Sequence, residues 1–185
     1  FLLTLISAII AAGVCFYVIN PKYEANTKIF IGKDENELQD YSNSDVIMYQ
    51  NLLKTYSEVI KTEDLVEKVI KKSKLELEID KVLKKISVTT IEGTQLIEII
   101  YRSEDPEEAK VVLENLTKEF IIISKKLIPN GNVQVIKEVK YPEVPVSPNK
   151  KISIAIAGVL GVMLGSVITI LMEFSGNIYK NKEQI

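Results

Sequence analysis

The chain of 185 residues sets 23 Lys and Arg against 25 Asp and Glu, for a formal net charge of -2, and has no histidine. That balance leaves no basic footprint for nucleic acid. The single cysteine, Cys15, allows no disulfide within the chain and has no partners for a metal site, and nothing points to a cofactor.

The first element is an uncharged apolar run, Phe1–Ile19. A helix of about 20 residues spans roughly 30 Å, the hydrocarbon thickness of a bilayer, so the run reads as a transmembrane helix. A cleaved signal peptide is the rival reading. The run opens at Phe1 with neither Met nor a basic n-region, so the sequence is expected to lack its native start. Ala11-Ala12-Gly13 offers small residues for cleavage, but Val14 before Cys15 does not suit lipoprotein-type processing.

Asn20-Pro21 ends that helix, because proline restricts the residue before it. Tyr23–Gly32 has the β-branched and aromatic character of a strand, and the polar stretch after it reads as an exposed loop. Ser44 or Asp45 can cap a helix running to about Ile60, with Val46, Tyr49, Leu53, Tyr56 and Ile60 on one stripe. A second helix starts at Thr62-Glu63-Asp64 and buries Leu65, Val66, Val69 and Ile70, and a short helical piece covers Ile79–Lys85.

Two strand-like segments flank Glu92-Gly93-Thr94 and predict a β-hairpin. Asp105-Pro106-Glu107-Glu108 then opens a long helix. Asp105 can cap it, Pro106 suits its first position and Glu108 completes a capping-box pattern. Ala109, Leu113, Leu116, Phe120, Ile123 and Leu127 form its stripe, and Ile121 and Ile122 widen the apolar arc. That arc is either enclosed in the domain or partly turned toward a neighbouring subunit. Asn130-Gly131 ends the helix, and Asn132–Tyr141 reads as a last strand. Residues 20–141 thus predict an α+β domain, with helices packed on a mostly antiparallel sheet.

No catalytic constellation emerges. The acidic group Glu104, Asp105, Glu107 and Glu108 could serve acid–base chemistry, but its place at a helix start, facing the positive dipole end, explains it better. No GxxxxGK[ST] phosphate loop occurs, so the chain is not itself a P-loop kinase. The lysine groups Lys71-Lys72-Ser73-Lys74 and Lys84-Lys85 read as solvated helix faces, with contact to anionic headgroups or an acidic glycan as the alternative.

Pro142, Pro145 and Pro148 follow at a spacing of three within residues 142–151. A polyproline II helix has three residues per turn and rises about 3.1 Å per residue, which would align the prolines along one edge about 9 Å apart. Such a segment is a semi-rigid strut, though a generic linker or a ligand for a proline-binding module has the same composition. It leads into the second apolar run, residues 152–172, whose Ile, Leu, Val and Met favour insertion in a bilayer. Gly158, Gly161 and Gly165 lie in this span. Gly161-xxx-Gly165 is a small-xxx-small pattern that lets helix backbones approach in lipid, and Ala8-xxx-Ala12 offers a matching face in the first span.

The motif "PEVPVSPNKK" running into a glycine-bearing span, with a first span ending "NPKYEANTKI", resembles the Wzz-type chain-length determinants, or polysaccharide co-polymerases. The similarity is strongest to the Gram-positive capsular and exopolysaccharide transmembrane modulators, and it covers nearly the whole chain. It implies a non-enzymatic, multi-pass protein of the cell membrane with its central domain outside the cell, assembled as a homo-oligomeric ring. It further implies work alongside a polysaccharide polymerase and the growing glycan, and activation of a separate cytoplasmic tyrosine kinase. The kinase contact would fall in the tail, Glu173–Ile185, where Ile178, Tyr179 and Ile185 are candidates; this tail is shorter than the family's. Two competing readings stand beside it: an extracytoplasmic sensor or receptor of a signalling protein, and an enzyme acting on glycans.

Overall fold

Ala25, Thr27, Ile29 and Ile31 are buried and alternate with more exposed neighbours, the two-residue period of a strand with one covered face. They belong to β1 (Tyr23–Lys33) in the computed structural model, which describes residues 20–33, 42–127, 131–148, 152, 155–156, 158–168 and 170. Three further strands, β2 (Ile86–Thr90), β3 (Leu96–Ser103) and β4 (Gly131–Lys137), complete a four-stranded antiparallel sheet in the order β2-β3-β1-β4. The register sets Ala25 opposite Tyr101 and Ile29 opposite Ile97, so the inward side chains of β1 and β3 share one face. The other face carries the cross-strand ion pairs Lys28–Glu98 (3.6 Å) and Arg102–Glu24 (2.8 Å).

The expected hairpin joins β2 to β3, but its loop is longer than Glu92-Gly93-Thr94. Thr94 donates its hydroxyl to the Ile91 carbonyl (2.7 Å) and accepts the Leu96 N–H (3.2 Å). Its side chain thereby stands in for the one missing ladder bond between Ile91 and Leu96, and Gly93 in the loop takes a positive φ of 71°.

Four helical segments lie between the strands: α1 (Asn43–Ile60), α2 (Glu63–Ser73), α3 (Ile79–Lys85) and α4 (Pro106–Leu127). The cap of α1 corrects the sequence expectation: it is Ser42, not Ser44 or Asp45. Asp45 occupies the third helical position, where its N–H donates to Ser42 Oγ (3.3 Å) and its carboxylate accepts the Ser42 N–H (2.9 Å). This closed capping box satisfies two donors that a helix start leaves open. Tyr49, Leu53, Tyr56 and Ile60 form the buried side of α1 as expected.

Helix α4 packs across β1 and β3, and α2 packs on α4. Ala109, Val112, Leu113, Leu116 and Phe120 are fully buried, and the Phe120 ring meets Tyr56 edge-on at 5.5 Å between centroids. The expected stripe fades toward the helix end. Ile121 and Ile123 are half-buried against the core, whereas Ile122 (45% exposed) and Leu127 (53%) face outward. The last strand stops at Lys137, short of the expected Tyr141. A register shift interrupts its ladder between Lys28 and Ile29, and the Thr27 hydroxyl takes the Lys137 carbonyl at 2.7 Å.

Residues Lys22–Pro145 form one compact unit, and residues from Val146 onward belong to a second. Helical backbone runs through residues 158–168 in the latter. Among the described residues no helix is long and apolar enough to cross a membrane. The first apolar run, residues 1–19, lies outside the described residues, as do the tail and parts of the second run.

Candidate functional site

The antiparallel register gathers chemistry at one end of the sheet. Tyr23 pairs with Ser103 and Ile86 with Tyr101, so the start of β1, the α3–β2 junction, the end of β3 and the start of α4 converge there. At the base of this end Glu108 accepts hydrogen bonds from Lys85 Nζ (2.7 Å) and the Tyr101 hydroxyl (2.6 Å), both on Oε1. Lys85 Nζ also reaches Ser103 Oγ at 3.4 Å and stands 5.8 Å from the centre of the Tyr101 ring.

The expected capping box of α4 is therefore half made. Asp105 does cap the helix, accepting the Glu107 N–H at 2.9 Å. Glu108 does not reach back; the Asp105 N–H goes instead to Ser103 Oγ (3.3 Å), and the Glu108 side chain turns inward. An inward carboxylate must be paired to be tolerated, and Lys85 with Tyr101 supplies the pairing.

Burial pushes the Glu108 carboxyl up, but hydrogen bonds from Lys85, Tyr101 and Ser103 outweigh it and hold the group below its ordinary value of 4.5. Burial, reinforced by the Glu108 carboxylate, pushes the Tyr101 phenol far above its ordinary value. Glu108 is thus ionised at neutral pH and poorly suited to donate a proton as a general acid. Tyr101 is equally unsuited to act as a base.

Above this cluster opens a cavity of about 530 Å³. Lys22, Lys84 and Arg102 contribute positive charge to its wall, and Glu104, Asp105 and Glu108 contribute negative charge. Among the described residues no group of His, Cys, Asp and Glu could hold a metal ion. The arrangement presents donors and acceptors side by side, which is binding chemistry.

The residues singled out from the sequence lie elsewhere. Pro142 is half-buried and Pro145 exposed at the end of the Lys22–Pro145 unit, and Pro148 is half-buried in the second unit. Gly158, Gly161 and Gly165 share one face of the helical segment, where Gly161 is buried. Val159, Leu160, Val162, Met163 and Leu164 are exposed. Ile178, Tyr179 and Ile185 lie outside the described residues. In the other lysine group, Lys71 pairs with Glu67 (2.6 Å) and Lys72 with the buried Glu119. Sequence reasoning did not single out Lys22, Tyr101, Arg102 and Ser103, because nothing in their spacing marks them as parts of one site.

Residues 1–73 match the family model for Wzz, chain length determinant protein, and residues 105–174 match GNVR, the G-rich domain on putative tyrosine kinase. The probable capsular polysaccharide biosynthesis protein YwqC of Bacillus subtilis (strain 168) is 28% identical over 184 residues, covering 97% of this chain and 74% of its own length. The capsular polysaccharide biosynthesis protein CpsC of Streptococcus pneumoniae is 29% identical over 192 residues, covering 100% of this chain and 82% of its own length. The capsular polysaccharide type 8 biosynthesis protein cap8A of Staphylococcus aureus is 25% identical, with 100% and 83% covered. Among solved structures, the alpha subunit of aIF2 from Pyrococcus abyssi superposes over 67% of this chain and 37% of its own, with a TM-score of 0.34 and 18% identity. That superposition is too loose to bear on function. The resemblance to chain-length determinants drawn from the sequence is borne out by both family matches.

Proposed function

From its likeness to Wzz-type chain-length determinants and its GNVR segment, we infer that the chain is a non-catalytic co-polymerase. In this reading it sets the length of a capsular or exopolysaccharide and activates a tyrosine kinase carried on a separate polypeptide. The observation that carries it is the joining of both family segments in one chain whose relatives, matched over nearly all of it, are named for capsular polysaccharide biosynthesis. The ionised Glu108, held by Lys85 and Tyr101, supports a role without catalysis.

Membrane residence is supported by the two uncharged apolar runs and by the small-residue faces within them. Both ends are cytoplasmic in this reading and the Lys22–Pro145 unit lies outside. The prolines 142, 145 and 148 link that unit to the second span as a strut, and several copies form a ring. On a Cys15→Ser background, Asn43→Cys should react with an impermeant thiol reagent in intact cells and Asn181→Cys should not. Equal labelling would overturn the topology.

Deleting the gene tests the function itself. Surface polysaccharide should change in length, and phosphotyrosine on the cytoplasmic kinase should fall. A deletion strain with unchanged polysaccharide and unchanged phosphotyrosine would remove the reading.

A further inference from the structure

The Lys84-Lys85 pair, a solvated helix face on sequence grounds, divides in the structure. Lys85 turns to Glu108, whereas Lys84 stays exposed on the cavity wall. Arg102, also on the cavity wall, is committed to Glu24 at 2.8 Å. Lys22 and Lys84 have no carboxylate partner among the described residues, so two cations line the cavity with their charge uncompensated by a direct contact.

We propose that this cavity binds a short stretch of acidic polysaccharide, its anionic group held by Lys22 and Lys84 and its hydroxyls by the polar wall beneath them. The inference deepens the co-polymerase reading and rests on it for the class of ligand. Three observations support it. The volume, about 530 Å³, falls within the range of roughly 300–1,000 Å³ typical of sites for small ligands. The wall mixes acceptors with donors: Glu104, Asp105, Glu108, Ser87 and Ser103 line it together with the lysines. A sugar hydroxyl both donates and accepts, so a mixed wall suits a polyol better than a purely basic one would. The base of the site is also fixed in place, because Lys85, Tyr101 and Glu108 hold one another across three elements.

A membrane surface is the rival partner for exposed lysines. It is disfavoured because the lysines border a concavity, which suits a short saccharide stretch better than a planar headgroup surface.

The full chain in a neutral detergent can be titrated calorimetrically with trigalacturonate, with maltotriose and with inorganic pyrophosphate. Trigalacturonate should bind at least tenfold more tightly than maltotriose, and more tightly than pyrophosphate. Lys22→Gln combined with Lys84→Gln should weaken it at least tenfold without moving the thermal midpoint, since both side chains are exposed and form no ion pair among the described residues. Undiminished binding in the double variant would overturn the proposal. Pyrophosphate binding as strongly through the same lysines would also overturn it, because charge alone would then be read. Bicelles containing phosphatidylglycerol that displace the saccharide, when phosphatidylcholine bicelles do not, would assign the lysines to headgroups and overturn it too. Failure to bind any saccharide would remove the site but leave chain-length control standing, since that is read separately from polysaccharide size in the deletion strain.

Discussion

Glu108 ties Lys85 to Tyr101 at one end of the sheet, and its chemistry can be tested residue by residue. Its carboxylate takes both Lys85 and the Tyr101 hydroxyl, so Glu108→Gln leaves a lysine and a phenol without their charged acceptor. At neutral pH the loss should be about 1.5–3 kcal/mol, the range for hydrogen bonds to a charged group within the protein. The pH dependence follows from the sign of the shift. The folded-state value lies below the ordinary 4.5, so the unfolded chain takes up the proton first. The stabilisation is fully present above about 4.5 and is lost as pH falls through the lower folded value. Chemical denaturation of wild type and variant should therefore differ at neutral pH and converge in acid. A constant gap across that window would mean that Glu108 contributes through shape and not charge.

At the scale of elements, local chemistry was legible and long-range pairing was not. Residues within four positions of one another specify the β2–β3 hairpin, the start of α4 at Asp105-Pro106 and the buried stripe of α1, and each forms as the sequence predicts apart from the longer hairpin loop. The α1 cap was misplaced because Ser42, Ser44 and Asp45 all suit a cap, and only the closed box selects Ser42. Ser42→Ala should cost about 0.5–2 kcal/mol, whereas Ser44→Ala should cost little; thermal melts of the two variants distinguish them. The Lys85–Tyr101–Glu108 cluster was not legible because the sheet register brings it together. Nothing in the spacing of 85, 101 and 108 foretells that the helix-start glutamate turns inward. In the second apolar run, the glycine face is expected to pack against another membrane helix. Gly161→Leu with Gly165→Leu should shift the detergent-extracted protein to smaller species in light scattering. An unchanged mass would show that these glycines do not hold copies together.

At the scale of the whole molecule, the account depends on passing information along the chain between the Lys22–Pro145 unit and the apolar run beyond it. The prolines at 142, 145 and 148 fall at that passage. Replacing all three with glycine adds backbone freedom and removes no buried apolar core residue. The unit should stay folded, as judged by protease resistance, while its coupling weakens. The measurement that tests the central claim most directly is the size distribution of surface polysaccharide from a strain lacking the gene. It is compared after complementation with the wild-type chain and with the Pro142→Gly, Pro145→Gly, Pro148→Gly variant. The account predicts that deletion shifts the distribution, that the wild-type chain restores it, and that the folded triple variant does not. A distribution that is the same with and without the wild-type chain would contradict the claim that this protein sets polysaccharide length.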